Sequence, residues 1–134
     1  MKRSLIDTDI LSMFFRGNRS VKANFATYLS EYDEISFSIV SYYEIVSGLK
    51  HRDAHRQMDS FIEFSSQNNI LPLTIESTTK SAEIYATLRR KGTPVDDIDL
   101  LIAGIALENG LVMVTNNTNH FARINGLTVE NWSA

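Results

Sequence analysis

The run Leu100-Leu101-Ile102-Ala103-Gly104-Ile105-Ala106-Leu107 is apolar on every side of a helix. A helix of that kind is stable only where neighbouring elements cover it all round. It is too short to cross a bilayer, which takes about 20 residues, so it belongs at the centre of a globular core. Immediately after Gly110, Leu111-Val112-Met113-Val114-Thr115 reads as a buried strand. A central helix feeding a central strand is the unit from which layered α/β folds are built.

The rest of the chain extends that unit. Leu5 and Ile6 mark a first strand over residues 3–7 that ends at Asp7, and residues 8–15 read as a helix broken at Gly17-Asn18. Val21, Phe25, Tyr28 and Leu29 fall on one helical stripe. Residues 34–39 alternate as a strand. Helical stripes follow at Tyr42, Ile45, Val46 and Leu49, and at Met58, Phe61 and Ile62. Ile70-Leu71-Pro72-Leu73 is an extended piece whose proline confines it to a strand end or sheet edge. Thr78, Ala82, Tyr85 and Leu88 describe a long helix that stops at Gly92. Residues 97–108 form the apolar helix, Leu127-Thr128-Val129 a last strand, and Trp132 a core plug. Strands separated by helices call for a three-layer α/β/α sandwich around a central, mainly parallel sheet, within one domain spanning residues 1–134.

Composition narrows the chemistry. The chain has no cysteine, which excludes disulfides, thiolate metal sites and cysteine nucleophiles. No apolar stretch is long enough for a membrane, and Asp7 interrupts the N-terminal run before it can serve as a secretion signal, so the cytoplasm is the expected compartment. A formal charge of -3 provides no overall basic field for nucleic acid. Basic residues instead cluster locally, as Lys50-His51-Arg52 with His55-Arg56 and as Arg89-Arg90-Lys91. Such clusters are ordinarily solvated helix surface, and the alternative is a phosphate-facing patch. His51 and His55 have the spacing of a zinc pair, but no third ligand accompanies them, and surface helix is the expected reading. Met13, Phe14 and Phe15 are expected in the core; exposed, they would offer a surface to a partner helix or a second copy.

Parallel sheets gather their strand ends on one rim, where ligands bind. Asp7 ends the first strand, Glu44 lies one turn into the helix after the second, Asp99 sits in the first turn of the apolar helix, and Asn116 and Asn117 follow the strand after it. Three carboxylates on one rim repel and resist joint ionisation unless a cation or shared protons intervene. All-oxygen donors suit Mg²⁺ or Mn²⁺. Each acid also has an ordinary role. Asp7 would cap the helix at Thr8, Glu44 would face solvent, and Asp99 would complete a capping box with Asp96.

The stretches Leu5-Ile6-Asp7-Thr8-Asp9-Ile10-Leu11-Ser12, Ser41-Tyr42-Tyr43-Glu44-Ile45-Val46-Ser47-Gly48, Gly92-Thr93-Pro94-Val95 leading to Asp99-Leu100-Leu101-Ile102-Ala103, and Val114-Thr115-Asn116-Asn117 with Phe121 resemble the motifs of PIN domains. With the ending Gly126-Leu127-Thr128-Val129-Glu130-Asn131-Trp132, the chain resembles the VapC-type toxins of toxin–antitoxin pairs. The resemblance implies a Mg²⁺- or Mn²⁺-dependent endoribonuclease, a homodimer silenced by a cognate antitoxin protein. Asp7 and Asp99 would be the principal metal ligands and Glu44 would complete the site. Asn117 stands where a fourth acid often does, Asp9 where Asn is common, and His120 where an Asp commonly precedes the Phe. Those departures make one metal the expectation. The Thr-Asn-Asn variant implies tRNA, initiator tRNA included, as substrate. With no His or Lys in the motifs, water attack on the phosphodiester is expected. Asp7-Thr8-Asp9 also resembles the start of haloacid-dehalogenase-type phosphatases, which would leave Glu44 without a role. A catalytically inactive PIN-like binding module is the other alternative.

Overall fold

The computed structural model describes all residues 1–134. Two three-residue stretches, β1 (Ser4–Ile6) and β4 (Val112–Val114), have every side chain buried and pair in parallel, with Leu5 opposite Met113 and Ile6 opposite Val114. On the far side of β4 lies β5 (Val129–Glu130), also parallel. A second parallel pair, β2 (Ser36–Ser38) and β3 (Asn69–Leu71), packs beside β1, so the order across the layer is β3-β2-β1-β4-β5. Between them run α1 (Thr8–Phe15), α2 (Arg19–Glu31), α3 (Ile39–His51), α4 (His55–Ser66), α5 (Ile75–Arg90), α6 (Asp97–Glu108) and the short α7 (Thr118–Phe121).

The period of two along a strand turns successive side chains to opposite faces, and here it divides the core. Ile6, Val112 and Val114 join Ile10, Leu11, Phe25, Phe37 and Phe61 under α1, α2 and α4. Leu5 and Met113 face the other way, onto Leu100, Ile102, Ala103, Ile105 and Ala106 of α6 and Leu88 of α5. α3 contributes to both, through Leu49 and Val40. The expected three-layer α/β/α sandwich with a parallel sheet is the observed architecture.

Local chemistry sets the helix limits. Asn18 caps α2 by accepting from the Val21 amide, Ser38 caps α3 through the Ser41 amide, and Thr74 and Ser77 form a reciprocal capping box on α5. Gly92 and Gly110 take positive φ (74° and 65°) and stop α5 and α6. Trp132 is buried against Phe25 and Tyr28, as expected of a plug.

Three expected stripes shift. Leu29 and Ile62 are exposed although they continue apolar rows, because Val21, Phe25, Tyr28 and Phe61 already fill the space beneath. On α5 the buried face is Ser77, Ser81 and Leu88 instead of Ala82 and Tyr85. The cause lies on α6, where Gly104 lets the two backbones meet: a Cβ there would clash with Ser81 Oγ and the Ser77 carbonyl. Only small side chains fit that seam.

Candidate active site

β1 stops at Ile6, and the next residue is both the N-cap of α1 and the floor of the rim. Asp7 Oδ1 accepts from the Thr8 amide (2.8 Å) and Oδ2 from the buried Thr115 hydroxyl (2.8 Å), one residue beyond β4. The capping role and the rim position therefore coexist. Asp9, two residues further, accepts from the Asn116 amide (3.0 Å) and from the Ile10 amide (2.7 Å), so it ties α1 to the loop after β4. Thr115 Oγ1 also accepts from the Asn117 amide (3.0 Å), which folds that loop over the two aspartates.

Glu44 enters from α3. The Thr8 hydroxyl donates to its Oε1 (2.6 Å) and meets the Ser41 hydroxyl at 2.9 Å, while Ser41 lies 3.3 Å from the capping Ser38. With Thr8 donating to the carboxylate, the relay runs Ser38 to Ser41 to Thr8 to Glu44. Oε2 of Glu44 accepts no such bond. Asp99 occupies the third position of α6. Asp96 is the N-cap by position but makes no side-chain cap bond, so the expected capping box is absent and Asp99 is free of that duty. Its Oδ2 faces His120 Nδ1 at 3.7 Å, and the same ring nitrogen is 2.7 Å from Asn117 Nδ2. Asn117 thus reaches the acids through His120.

Burial is the dominant electrostatic fact. It lifts the Asp7 carboxyl from 3.8 to about 7; neighbouring Asp9 adds to the rise, Asp99 adds less, and the Thr115 and Thr8 bonds oppose it. Burial likewise raises Asp9 against the amides of Asn116 and Ile10. Asp99 is raised first by burial, then by Asp96 and Glu44, with His120 pulling the other way. Asp99 therefore lies near enough to Asp7 to oppose its ionisation, and Glu44 near enough to Asp99 to oppose that of Asp99. The protein's salt bridges supply no Lys or Arg to these acids.

An all-oxygen, carboxylate-rich donor set with surplus negative charge fits a hard divalent cation. The side chains share a neighbourhood but not a finished coordination geometry: no three His, Asp or Glu side chains close on a common point. Each is turned onto a local donor instead. Residues that sequence reasoning passed over are Thr8, Ser41 and Thr115, whose hydroxyls hold the acids. The available signal was a hydroxyl beside each acid at a strand end or helix start. His51 and His55 are exposed, and His55 pairs with exposed Asp53 at 2.8 Å, as surface residues do. Met13 and Phe14 pack on the core, whereas Phe15 is exposed.

Parallel sheet order, an acid at the end of β1, and partners from α3 and α6 define a layered α/β protein with an acidic rim. Residues 4–127 match the PIN domain family, and the chain belongs to it. Within that family its likeness is to VapC-type toxins. It is 32% identical over 134 residues to the tRNA(fMet)-specific endonuclease VapC of Shigella flexneri, covering 99% of this chain and 100% of that protein. It is 36% identical over 96 residues to the protein of the same name from Salmonella typhimurium, covering 71% and 73% of the two chains. Among solved structures, VapBC2 of Rickettsia felis bound to a promoter DNA fragment superposes with a TM-score of 0.87 at 27% identity, covering 96% of this chain and 98% of that one. DNA-bound VapBC from Salmonella typhimurium gives 0.86 at 30% identity, covering 98% and 99%. That membership displaces the phosphatase alternative for Asp7-Thr8-Asp9.

Proposed function

We propose that this chain, an endoribonuclease of the toxin type by its relatives, hydrolyses a structured RNA such as tRNA, initiator tRNA included, with Mg²⁺ or Mn²⁺ at Asp7, Asp99 and Glu44. The observation that carries the reading is the uncompensated acid cluster: the carboxyls of Asp7, Asp9 and Asp99 are raised, Asp7 to about 7, with no basic side chain paired to them except His120 beside Asp99. Folding gains nothing from assembling such repulsion, and a cation would relieve it.

In this reading Asp7, just past β1, and Asp99, in the first turn of α6, would hold the cation. The chemistry such a cation supplies when bound is polarisation of the phosphate and neutralisation of the charge that develops on it. Glu44 takes the proton from the attacking water on Oε2, because Oε1 is held by Thr8. The water oxygen forms a bond to phosphorus as the bond to the 3′-oxygen breaks and that oxygen takes a proton from solvent, giving 5′-phosphate and 3′-hydroxyl ends. Asn117 holds the His120 ring against Asp99 and acts as a positioning residue. The tRNA target is supported by the printed function of the Shigella and Salmonella relatives, and an antitoxin partner by the toxin–antitoxin complexes among the structural neighbours. A second copy of the chain suits the apolar side chains left on the surface, Ile75 (82% exposed) and Tyr43 (65%) above all. No helix is long and apolar enough to cross a membrane.

The test is cleavage of purified tRNA by the purified chain with Mg²⁺ or Mn²⁺ against EDTA, with the product ends mapped. Cleavage that EDTA abolishes and that leaves 5′-phosphates is expected. Cleavage indifferent to EDTA, or ending in cyclic phosphates, would refute the reading. Highly purified protein that cuts nothing would instead support the inactive binding module.

A further inference from the structure

We infer that the cleft between α1, α3 and α4 is the track along which single-stranded RNA enters the acid site, with Arg16, Arg52 and Arg56 holding its phosphates. The inference rests on the nuclease reading and adds to it the residues that grip substrate. The cleft measures about 670 Å³, within the ~300–1,000 Å³ of typical ligand pockets. One end is formed by Thr8 and Glu44, which already belong to the acid site, and the three arginines line the same cleft. A chain reacting at Glu44 therefore has a continuous path away from it.

Local sequence produces this arrangement. α3 ends in a Schellman motif: the Ala54 amide bonds the Leu49 carbonyl (3.0 Å), the Asp53 amide bonds Lys50 (3.1 Å), and Asp53 takes φ 56°. The tight reversal sets Arg52, at the end of α3, beside Arg56 in the first turn of α4. Arg52 Nη1 would stand 3.5 Å from a Cβ on Gly48, so the guanidinium lies back along α3, four residues beyond Glu44. Arg16, the C-cap of α1, completes the cleft from the other wall.

In a chain with more acids than bases, none of these three guanidiniums is paired with a carboxylate. Unpaired arginines around a cleft match the geometry and charge of phosphates. Phe15 adds a platform. It is 41% exposed, lines the cleft, and is fixed edge-on by Phe61 and Phe64 at 5.8 and 5.1 Å. Unstacked bases bind aromatic faces beside tracked phosphates in this way. The second basic cluster has no such setting: Arg89 lies over the Tyr85 ring on the outer face of α5, and neither it nor Arg90 lines this cleft. An acidic protein segment is the competing occupant. RNA is favoured because the cleft opens onto Thr8 and Glu44, where a phosphodiester must come to react.

The experiment compares wild type, the double variant Arg52→Ala/Arg56→Ala, the control Arg89→Ala/Arg90→Ala, and Gly48→Leu, which narrows the cleft and pushes against the Arg52 guanidinium. Cleavage is measured with Mg²⁺, and binding of a fluorescent single-stranded oligoribonucleotide is titrated with salt in EDTA. Melting curves check that each variant folds. The cleft variant is expected to raise KM at least tenfold with kcat within about twofold. It is also expected to lower the slope of log Kd against log salt by about 1.4, the loss of two single-strand phosphate contacts. Gly48→Leu raises KM and lowers the salt slope by about 0.7 at most, the one contact that Arg52 makes, and the control changes neither. An unchanged KM and salt slope in the double variant would overturn the track and leave the nuclease reading standing. Loss of binding to an acidic protein partner with RNA binding intact would assign the cleft to protein instead. Wild type that binds the oligonucleotide with an arginine-dependent slope, yet cleaves nothing, would sink the nuclease reading and support the track.

Discussion

The acidic rim and the seam between α5 and α6 both bury polar atoms, and they treat that burial in opposite ways. In the seam each buried hydroxyl is satisfied. Ser81 Oγ donates to the Leu100 carbonyl (2.7 Å), and Ser77 Oγ and Thr74 complete a capping box. At the rim the buried groups are carboxyls that burial lifts out of the ordinary range, with Asp9 adding to the rise at Asp7, and Asp96 and Glu44 adding to the rise at Asp99. Buried polar atoms with partners stabilise a fold or leave it unharmed, whereas buried like charges cost it. The seam is therefore built for stability and the rim is tolerated at stability's expense, which is the expected signature of a functional site.

The contrast can be broken from either side. The largest effect is expected at the rim, where Asp7→Asn should lower RNA cleavage by roughly a thousandfold, several kcal/mol of lost transition-state stabilisation. The same variant should melt higher than wild type at neutral pH. The sign follows from the shift: Asp7 is protonated at little cost below 3.8, and its ionisation in the folded state becomes unfavourable as pH rises towards about 7. Wild type should thus lose stability across that window and Asp7→Asn should not, with a gap on the order of 4 kcal/mol at pH 7 that closes near pH 4. Denaturant melts at the two pH values measure it, and a variant less stable at pH 7 would contradict the account.

The next effect lies in the seam. Gly104→Ala places a Cβ against Ser81 Oγ and the Ser77 backbone. It should cost about 3 kcal/mol, as overpacking does, while the cleavage rate per folded molecule stays at wild type. Chemical denaturation with an active-site titration separates the two. Smallest is Ser81→Ala, expected to cost about 1 kcal/mol for the lost bond to Leu100, again without a change in kcat. A seam variant that abolished cleavage while remaining folded would dissolve the distinction between the regions.

Much of the fold is legible in the sequence. The limits of α1 and α6 follow from a capping acid at Asp7 and the glycine at 110, because those signals are local. The α5 face was not legible, because what buries Ser77 and Ser81 is a glycine more than 20 residues away on another helix. At the rim, Asp7, Glu44 and Asp99 could be read as strand-end and helix-start acids. Their hydroxyl supports could not, since Thr8, Ser41 and Thr115 look like ordinary cap and strand residues until three elements meet. Asp99 itself looked like half of a capping box, and only the idle Asp96 side chain shows otherwise.

The most direct test of a rim that trades stability for chemistry is Asp99→Asn, assayed for Mg²⁺-dependent RNA cleavage and for melting temperature on the same preparation. The account predicts a variant that folds at least as stably as wild type at pH 7 and cleaves no measurable RNA. Cleavage at the wild-type rate, in protein shown to be folded, would contradict it.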